Sequence, residues 1–376
     1  MTPPVPFPNK IQTTPSFNMT TSEKNITALI RPGIAALKPY SSARDEFAGA
    51  ASVYLDANEN SLGSPLDEDF SRYPDPLQTP LRETLATLKQ VDTRQIFIGN
   101  GSDEAIDMLM RAFVEPGRDN VVLMPPTYGM YAVQANIHGA EIRRAPLRAD
   151  FSPNPEAVLS ATDAHSKLLF LCSPNNPTGQ CLPDDFILEM LEKFPGLVVV
   201  DEAYGDFTTR PSWATRITEF PNLVVLQTLS KAWGLAGLRV GMAFSNSLII
   251  NTLNKIKYPY NLNQSTIQLA LQALQHPERV HEKVQTLLSE RQRLEHALPL
   301  LPCVEKVFPS DANFLLVRVT DANDIYRYLC EQGIIVRNRD RELHCSNCLR
   351  ITVGTPAEND TLLSALRSYY PPYDLR

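Results

Sequence analysis

The sequence has no apolar run long enough to cross a bilayer. It has 376 residues, and its longest apolar stretches, such as 167–172 and 197–200, are far shorter than the roughly 18 residues that span a membrane. It also lacks blocks of Lys or Arg, since 35 basic residues against 42 acidic ones give a net charge of -7. Binding to a phosphate backbone needs clustered positive charge, so the pattern argues against a nucleic-acid partner and favours small-molecule ligands.

Cysteine is scarce as well. The six cysteines are irregularly spaced, and no basic segment leads into an apolar one at the N-terminus, so we expect free thiols in a reducing cytoplasm. His344, Cys345 and Cys348 resemble part of a metal site, but no second pair lies at zinc-site spacing. We therefore predict a surface turn there and no metal.

The composition divides the chain into a tail and two domains. Five prolines and few large apolar residues mark the beginning of the chain, which is typical of a flexible tail. We predict a tail at 1–25, an N-terminal segment at 26–60 that packs with the small domain, a large cofactor-binding domain at 61–280 and a small α+β domain at 281–376.

From about residue 92, apolar runs alternate with helical patterns. The runs are continuous rather than alternating in polarity, which indicates strands covered on both faces of a mainly parallel sheet. We therefore predict an α/β fold whose large domain has strands at 94–98, 120–124, 167–171, 197–200, 222–226 and 240–244. Further predictions are strands at 52–55, 314–319, 333–336 and 349–353, and helical patterns over 264–298 and 325–329.

Polar residues follow several of these strands at the point where each strand ends, which is where ligands bind in a parallel sheet. Gly99-Asn-Gly-Ser-Asp103 follows the first strand and opens a helix, so its backbone N–H groups can hold a phosphate, although a plain capped helix has the same pattern. Ser173-Pro-Asn-Asn-Pro-Thr-Gly179 is either a rigid turn or a loop whose Asn176 donates to a ring oxygen.

The next two strand ends carry ionisable side chains. Asp201 and Tyr204 follow the strand at 197–200, where Asp201 is either a ligand or a helix cap. Lys231 lies among Leu, Ala, Trp and Gly residues, where desolvation would lower its pKa and make its amine a nucleophile at neutral pH. Arg239 can form two parallel hydrogen bonds to a phosphate.

Together these residues match one cofactor. Pyridoxal 5'-phosphate needs a lysine for a Schiff base, a carboxylate at its pyridine nitrogen, donors to its phenolic oxygen, a stacked aromatic ring and a phosphate pocket. Those five needs are matched in turn by Lys231, by Asp201, by Tyr204 with Asn176, by Tyr128, and by Ser102 and Asp103 with Arg239.

The motifs also carry a resemblance to a known family. From about Ile26 to the C-terminus the chain resembles the fold-type I pyridoxal-phosphate aminotransferases, and among them it is most similar to the histidinol-phosphate aminotransferase family. The set is specific for fold and cofactor and less specific for substrate. It consists of Pro39-Tyr-Ser-Ser-Ala-Arg44, Leu55-Asp-Ala-Asn-Glu-Asn60, Arg72-Tyr-Pro-Asp75, Gly99-Asn-Gly-Ser-Asp-Glu104, Ser173-Pro-Asn-Asn-Pro-Thr-Gly179, Asp201-Glu-Ala-Tyr204, Ser230-Lys231, Gly237-Leu-Arg239 and Leu349-Arg-Ile-Thr-Val-Gly354.

The resemblance implies a ping-pong aminotransferase of histidine biosynthesis. It would convert L-histidinol phosphate and 2-oxoglutarate into imidazole-acetol phosphate and L-glutamate. Lys231, Asp201 and Tyr204 would act in catalysis, with Lys231 holding the cofactor as a Schiff base and moving the substrate proton. Gly101 and Ser230 would join the cofactor-binding residues.

The resemblance also implies a homodimer and a substrate pocket for anions. Tyr73 would reach the cofactor phosphate of the neighbouring subunit, so that activity requires the dimer. Arg350 would bind the α-carboxylate, and Arg337 and Tyr40 would receive a distal carboxylate or phosphate. Asn58 is also expected to bind substrate, while the alternative for Arg337 is a surface charge.

Two positions depart from the usual pattern of the family. Ser61 follows Asn-Glu-Asn where proline is common, and Trp233 stands where phenylalanine is usual. Both changes could alter the substrate pocket, so an L-threonine-O-3-phosphate decarboxylase and an aromatic amino-acid aminotransferase stay as alternatives. A transcription regulator with an aminotransferase-like domain would need a helix-turn-helix module, which residues 1–25 are too few to form.

Overall fold

A computed structural model describes residues 25–38 and 52–369. Tyr40 and the predicted tail up to residue 24 lie outside these ranges. The large domain is built on a seven-stranded sheet of strand order β1-β7-β6-β5-β4-β2-β3. Its strands are β1 (Ile96–Asn100), β2 (Asn120–Leu123), β3 (Glu141–Arg144), β4 (Ser166–Cys172), β5 (Leu197–Asp201), β6 (Leu223–Thr228) and β7 (Val240–Phe244).

The sheet is mainly parallel, which confirms the predicted α/β class. Strand β7 alone runs antiparallel to both of its neighbours, β1 and β6. The helices of this domain are α1 (Ile26–Leu29), α2 (Pro32–Ala36), α3 (Thr79–Lys89), α4 (Ser102–Phe113), α5 (Met130–His138), α6 (Pro155–Ser160), α7 (Asp184–Lys193), α8 (Ser247–Ile256) and α9 (Gln264–Leu274).

Successive residues of each central strand enter two different hydrophobic layers. In β5, Val198 and Val200 pack in the layer that includes buried residues of α3, α7 and α9. Leu197 and Val199 point to the opposite face, where α4, α5 and α8 cover them. All four side chains are fully buried, which explains why the apolar runs of the sequence are continuous.

The small domain contains a four-stranded antiparallel sheet of order β10-β11-β9-β8. Its hydrophobic core is formed by apolar residues of the sheet packed against apolar residues of the helices that follow and precede the strands. The elements are α10 (Pro277–Ala297), β8 (Val304–Val307), β9 (Phe314–Val319), α11 (Ala322–Glu331), β10 (Arg337–Asn338), β11 (Cys348–Thr352) and α12 (Pro356–Arg367).

Three local predictions are wrong. Residues 52–55 form no strand, and Val53 and Leu55 are 69% and 84% exposed, so no sheet within residues 25–38 and 52–369 covers this apolar stretch. The stretch 333–336 is a turn and extended loop before β10. The helical pattern over 264–298 is split into α9 and α10, because Pro277 lacks the N–H that a continuing helix needs and instead occupies the first turn of α10.

Residues 26–34 of the predicted N-terminal segment contact the large domain. Ile26 is buried in the same layer as residues of α4 and α8. The guanidinium of Arg31 pairs with Glu115 at 3.0 Å, and Lys255 Nζ donates to the carbonyl of Ile34 at 2.8 Å. This packing differs from the expected one, and the domain boundaries themselves stay predictions.

A small apolar cluster connects the two domains beside the strand ends. Tyr204, after β5, packs with Ala232 and with Val284 of α10. Its ring meets the ring of Phe314 edge-on, with 5.1 Å between the centroids. The contacts fix the loops that follow β5 and β6 against the first residues of β9.

Candidate active site

A cavity of about 450 Å³ lies at the carboxyl ends of the parallel strands and extends to the small domain. Residues that follow β4, β5 and β6 form its floor, and residues near β10 and β11 form one wall. The sequence-predicted residues that line it are Ser102, Asp103, Tyr128, Asn176, Asp201, Tyr204, Ser230, Lys231, Arg239, Arg337 and Arg350.

The N-terminus of α4 forms one end of the cavity. Gly101 is the N-cap with φ 78°, and a Cβ atom there would lie 2.6 Å from Nη2 of Arg239. A Cβ atom on Gly241 would lie 2.1 Å from the amide nitrogen of Ser102, so this close approach requires glycine. The first-turn N–H groups and the guanidinium of Arg239, 3.6 Å from Asp103 Oδ2, together form a site suited to an anion.

The carboxylate of Asp201 is almost completely buried at the end of β5. Tyr131 donates its hydroxyl proton to Oδ2 at 2.6 Å, and the amide of Ala203 donates to Oδ1 at 3.0 Å. Burial raises the pKa of Asp201, and these two hydrogen bonds oppose the rise. A cationic N–H partner in the cavity would favour the ionised form.

The amine of Lys231 projects into the cavity, with its nitrogen 5.5 Å from the centre of the Tyr204 ring. The side chain of Lys231 is exposed to the solvent in the open cavity. The protein atoms around the amine nevertheless replace part of its hydration shell. This desolvation lowers the pKa of Lys231, and the guanidinium of Arg350 lowers it further. A neutral amine is both a nucleophile and a base, so Lys231 has the properties expected of a catalytic lysine.

Buried and half-buried polar side chains line the cavity near Lys231 and Asp201. The amide oxygen of Asn176 accepts from Nη1 of Arg350 at 2.5 Å, a contact that joins the two domains. The hydroxyl of Tyr128 donates to Asp103 at 3.2 Å. Burial raises the pKa of Tyr204, so its hydroxyl keeps its proton and can donate a hydrogen bond to a ligand.

Arginines dominate the wall that the small domain contributes. Arg337 lies directly opposite Arg350 in the antiparallel pair β10–β11, which brings both to the same face of the sheet. Arg339 and Glu342 line the cavity beside them and pair at 3.3 Å. This wall can therefore bind anionic groups of a substrate.

Three predicted residues do not line this cavity. Tyr73 is 49% exposed and stacks on Tyr260 with 4.5 Å between the ring centroids. Asn58 is exposed and has a left-handed backbone with φ 56°. Gly101 contributes only as the cap of α4, and Tyr40 lies outside the described residues.

Three residues at or beside the cavity were not predicted from the sequence: Tyr131, Arg339 and Glu342. Tyr131 lies in the first turn of α5 and meets the ring of Tyr128 edge-on with 5.4 Å between the centroids, but Tyr128 precedes the helix, so no helical spacing in the sequence links the two. Arg339 lies two residues after Arg337, and period-two alternation along a strand places both on one face. Glu342 carries no comparable signal, because it follows an irregular turn.

The Cys345–Cys348 turn is buried rather than at the surface, as both thiols have no exposed area. Within residues 25–38 and 52–369, no group of three or more His, Cys, Asp or Glu side chains is arranged to hold a metal ion. No helix in the same part of the chain has the length and apolar character needed to cross a membrane.

The fold is that of a fold-type I transferase, and Lys231 lines the cavity at the carboxyl ends of its parallel strands. The sequence model of the family described as aminotransferase class I and II matches residues 54–366. The chain belongs to this class I and II aminotransferase family.

The chain is also similar to individual proteins and solved structures. A histidinol-phosphate aminotransferase of Parabacteroides distasonis is 53% identical over 345 residues, which cover 92% of this chain and 99% of that protein. The structure of histidinol-phosphate aminotransferase from Sinorhizobium meliloti in complex with pyridoxal-5'-phosphate is 26% identical with a TM-score of 0.73, covering 83% and 89% of the two chains. L-threonine-O-3-phosphate decarboxylase from Porphyromonas gingivalis is 26% identical with a TM-score of 0.68, covering 80% and 90%.

Proposed function

We propose that this enzyme transfers the amino group of L-histidinol phosphate to 2-oxoglutarate, giving imidazole-acetol phosphate and L-glutamate in histidine biosynthesis. The main support is one cavity in which Lys231 and Asp201 face an arginine-rich wall. The 53% identity to the Parabacteroides distasonis enzyme favours this reaction among those of the family.

The described residues fit pyridoxal phosphate as cofactor. The N-terminus of α4 and Arg239 would hold its phosphate, at the place where glycine is needed at 101 and 241. Burial raises the pKa of the Asp201 carboxyl, and a protonated pyridine nitrogen beside it would favour its ionised form. Asn176 and Tyr204 would donate to the phenolic oxygen.

When bound, the cofactor supplies an electrophilic aldehyde and an electron-withdrawing ring. Lys231 Nζ would take and hold the proton from the substrate Cα. The lowered pKa of Lys231 keeps a larger fraction of its amine neutral and ready to accept that proton at neutral pH. Tyr131 and the Ala203 amide hold the Asp201 carboxylate in one orientation throughout.

The arginine wall would hold the anionic groups of both substrates. Arg350 is fixed by its hydrogen bond to Asn176 and packs over the ring of Phe314 at 5.3 Å, so its guanidinium is already oriented before substrate enters. Arg337 is more exposed and would receive a distal group. We propose Tyr40 and Asn58 as further substrate contacts on the basis of the family resemblance alone.

A homodimer is part of the proposal. Segment 52–77 exposes several large apolar side chains on one chain, which a second copy would cover. Tyr73 is anchored in this segment, where its amide donates to Glu59 at 2.6 Å and its ring stacks on Tyr260. The proposed role of Tyr73, based on the family resemblance, is to reach the cofactor phosphate of a partner subunit. The exposed apolar residues are Val53, Leu55, Leu62, Leu66 and Leu77.

We also propose a cytoplasmic location. All six cysteines are free thiols, as is usual for proteins of a reducing compartment.

Replacing Tyr73 by phenylalanine should weaken cofactor retention while leaving the fold intact. The change removes one hydrogen bond to a charged phosphate, worth roughly 1.5 to 3 kcal/mol, but keeps the ring stacked on Tyr260. Equilibrium dialysis of the cofactor would measure the loss. Tyr258→Phe is the control, because Tyr258 is a neighbouring exposed tyrosine with no proposed ligand. Equal retention in both variants would contradict the role of Tyr73.

The decarboxylase alternative is tested by offering the purified enzyme different amino donors. L-histidinol phosphate should convert the cofactor to its aminated form and produce glutamate when 2-oxoglutarate follows. L-threonine O-3-phosphate should release no carbon dioxide, and aromatic amino acids should react more slowly than histidinol phosphate. Carbon dioxide release from threonine phosphate, with no reaction of histidinol phosphate, would establish the decarboxylase instead.

A further inference from the structure

We infer that Arg339 is a specificity-determining residue that binds the phosphate of the amino donor together with Arg350. The inference rests on the proposed function, since it names the side chain that recognises the phosphate of that substrate. It assigns a role to a residue for which the family resemblance gives none.

The placement of Arg339 follows from the sheet register. Arg337 lies opposite Arg350, and the amide of Arg339 donates to the carbonyl of Cys348 at 2.8 Å, which continues the β10–β11 ladder by one more residue. Side chains two residues apart in a strand share a face, so Arg339 lies on the face of Arg337 and Arg350. All three line the cavity.

Both inner guanidiniums have donors left for a ligand. Among the described residues, the buried Nε atoms of Arg339 and Arg350 have no hydrogen-bond partner. Arg339 uses Nη1 on Glu342, and Arg350 uses Nη1 on Asn176. These Nε atoms are shielded from the cavity, whereas Nη2 of each guanidinium forms no hydrogen bond within the described residues and stays accessible, so it can donate to acceptor oxygens of a bound anion.

The charge of this wall suits a phosphate better than a carboxylate. The pKa of Arg350 is lowered first by desolvation and then by the charges of Arg339 and Arg337, so the three cations are close enough to repel one another. Glu342 offsets only part of that repulsion. A phosphate monoester carries about 1.5 to 2 negative charges and three acceptor oxygens, whereas a carboxylate carries one charge and two oxygens. The single charge of Arg350 is enough to pair with a carboxylate. Arg339 supplies the second positive charge that pairs with a phosphate.

The test compares Arg339→Met with Arg341→Met in the holoenzyme. Arg341 is exposed, lies two residues from Arg339 and does not line the cavity. Its replacement by methionine therefore makes the same change of charge outside the proposed phosphate site. Arg339→Met should raise KM for histidinol phosphate roughly tenfold to a hundredfold, with a smaller effect on kcat and on the KM for glutamate. Arg339→Lys keeps the charge without the planar fork and should recover part of the loss.

Inorganic phosphate, as an inhibitor of the reaction with glutamate, gives a second readout. Its inhibition constant should rise in Arg339→Met and stay unchanged in Arg341→Met. Equal effects on histidinol phosphate and glutamate, equal effects of the two variants, or an unchanged inhibition constant would each overturn the role of Arg339. If the wild type does not use histidinol phosphate, the proposed function fails, while phosphate competition against glutamate still decides whether Arg339 binds the anion.

Discussion

Replacing Lys231 by alanine should abolish amino transfer while the protein still folds and binds its cofactor. The side chain points into an open cavity, so its removal leaves no void in the core. The loss of proton transfer by this amine should by itself lower the rate about a hundredfold to ten-thousandfold. The variant also loses the covalent attachment of the cofactor. Steady-state assays with histidinol phosphate and 2-oxoglutarate would measure the decrease.

Lys193→Ala is the matched control for this variant. Lys193 is an exposed lysine of α7 that pairs with Glu189 at 2.8 Å on the helix surface. Its replacement should leave the rate unchanged. A Lys231→Ala enzyme with a wild-type rate would show that another group moves the proton and that the central residue has been assigned wrongly.

Replacing Asp201 by asparagine should have the second-largest effect. Asparagine keeps the shape but not the charge, so it cannot stabilise a protonated pyridine nitrogen, and its amide N–H would meet a donor from Tyr131 or Ala203. Removing a preorganised electrostatic contact of this kind typically costs about a hundredfold to a thousandfold in kcat. The cofactor should also dissociate more readily.

Asp206→Asn is the control for the Asp201 variant. Asp206 is an exposed carboxylate on the same loop, 3.5 Å from Lys89, and does not line the main cavity. Its variant should retain both rate and cofactor. An Asp201→Asn enzyme that keeps its kcat would mean that ring protonation does not depend on this carboxylate.

Six of the seven strands of the large sheet were predicted because they are largely buried on both faces, whereas the partly exposed edge strand β3 was missed. Continuous apolar runs such as 197–200 are typical of strands that are covered on both faces. Once the strands are placed, the residues at their carboxyl ends indicate where a ligand binds. Strand direction is not encoded in such runs, so the antiparallel β7 was not foreseen. The apolar stretch at 52–55 has the composition of a strand, but Val53 and Leu55 are exposed and pair with no strand among the described residues, so this prediction was wrong.

The site was predictable where a residue follows a strand directly, as Asp201 does. Residues that reach the cavity by tertiary packing were harder to find. Tyr131 reaches Asp201 from a helix 70 positions earlier, and this contact depends on how α5 lies on the sheet. Arg350 meets Asn176 only because the small domain folds back over the strand ends.

Reduction of the purified holoenzyme with borohydride, followed by peptide mass mapping, tests the central assignment most directly. Reduction makes the link between the cofactor and its lysine permanent, so the modified peptide identifies the residue. We expect a pyridoxyl group on Lys231 and on no other lysine. A modified peptide from elsewhere in the chain, or no modification after incubation with pyridoxal phosphate, would contradict the proposed active site.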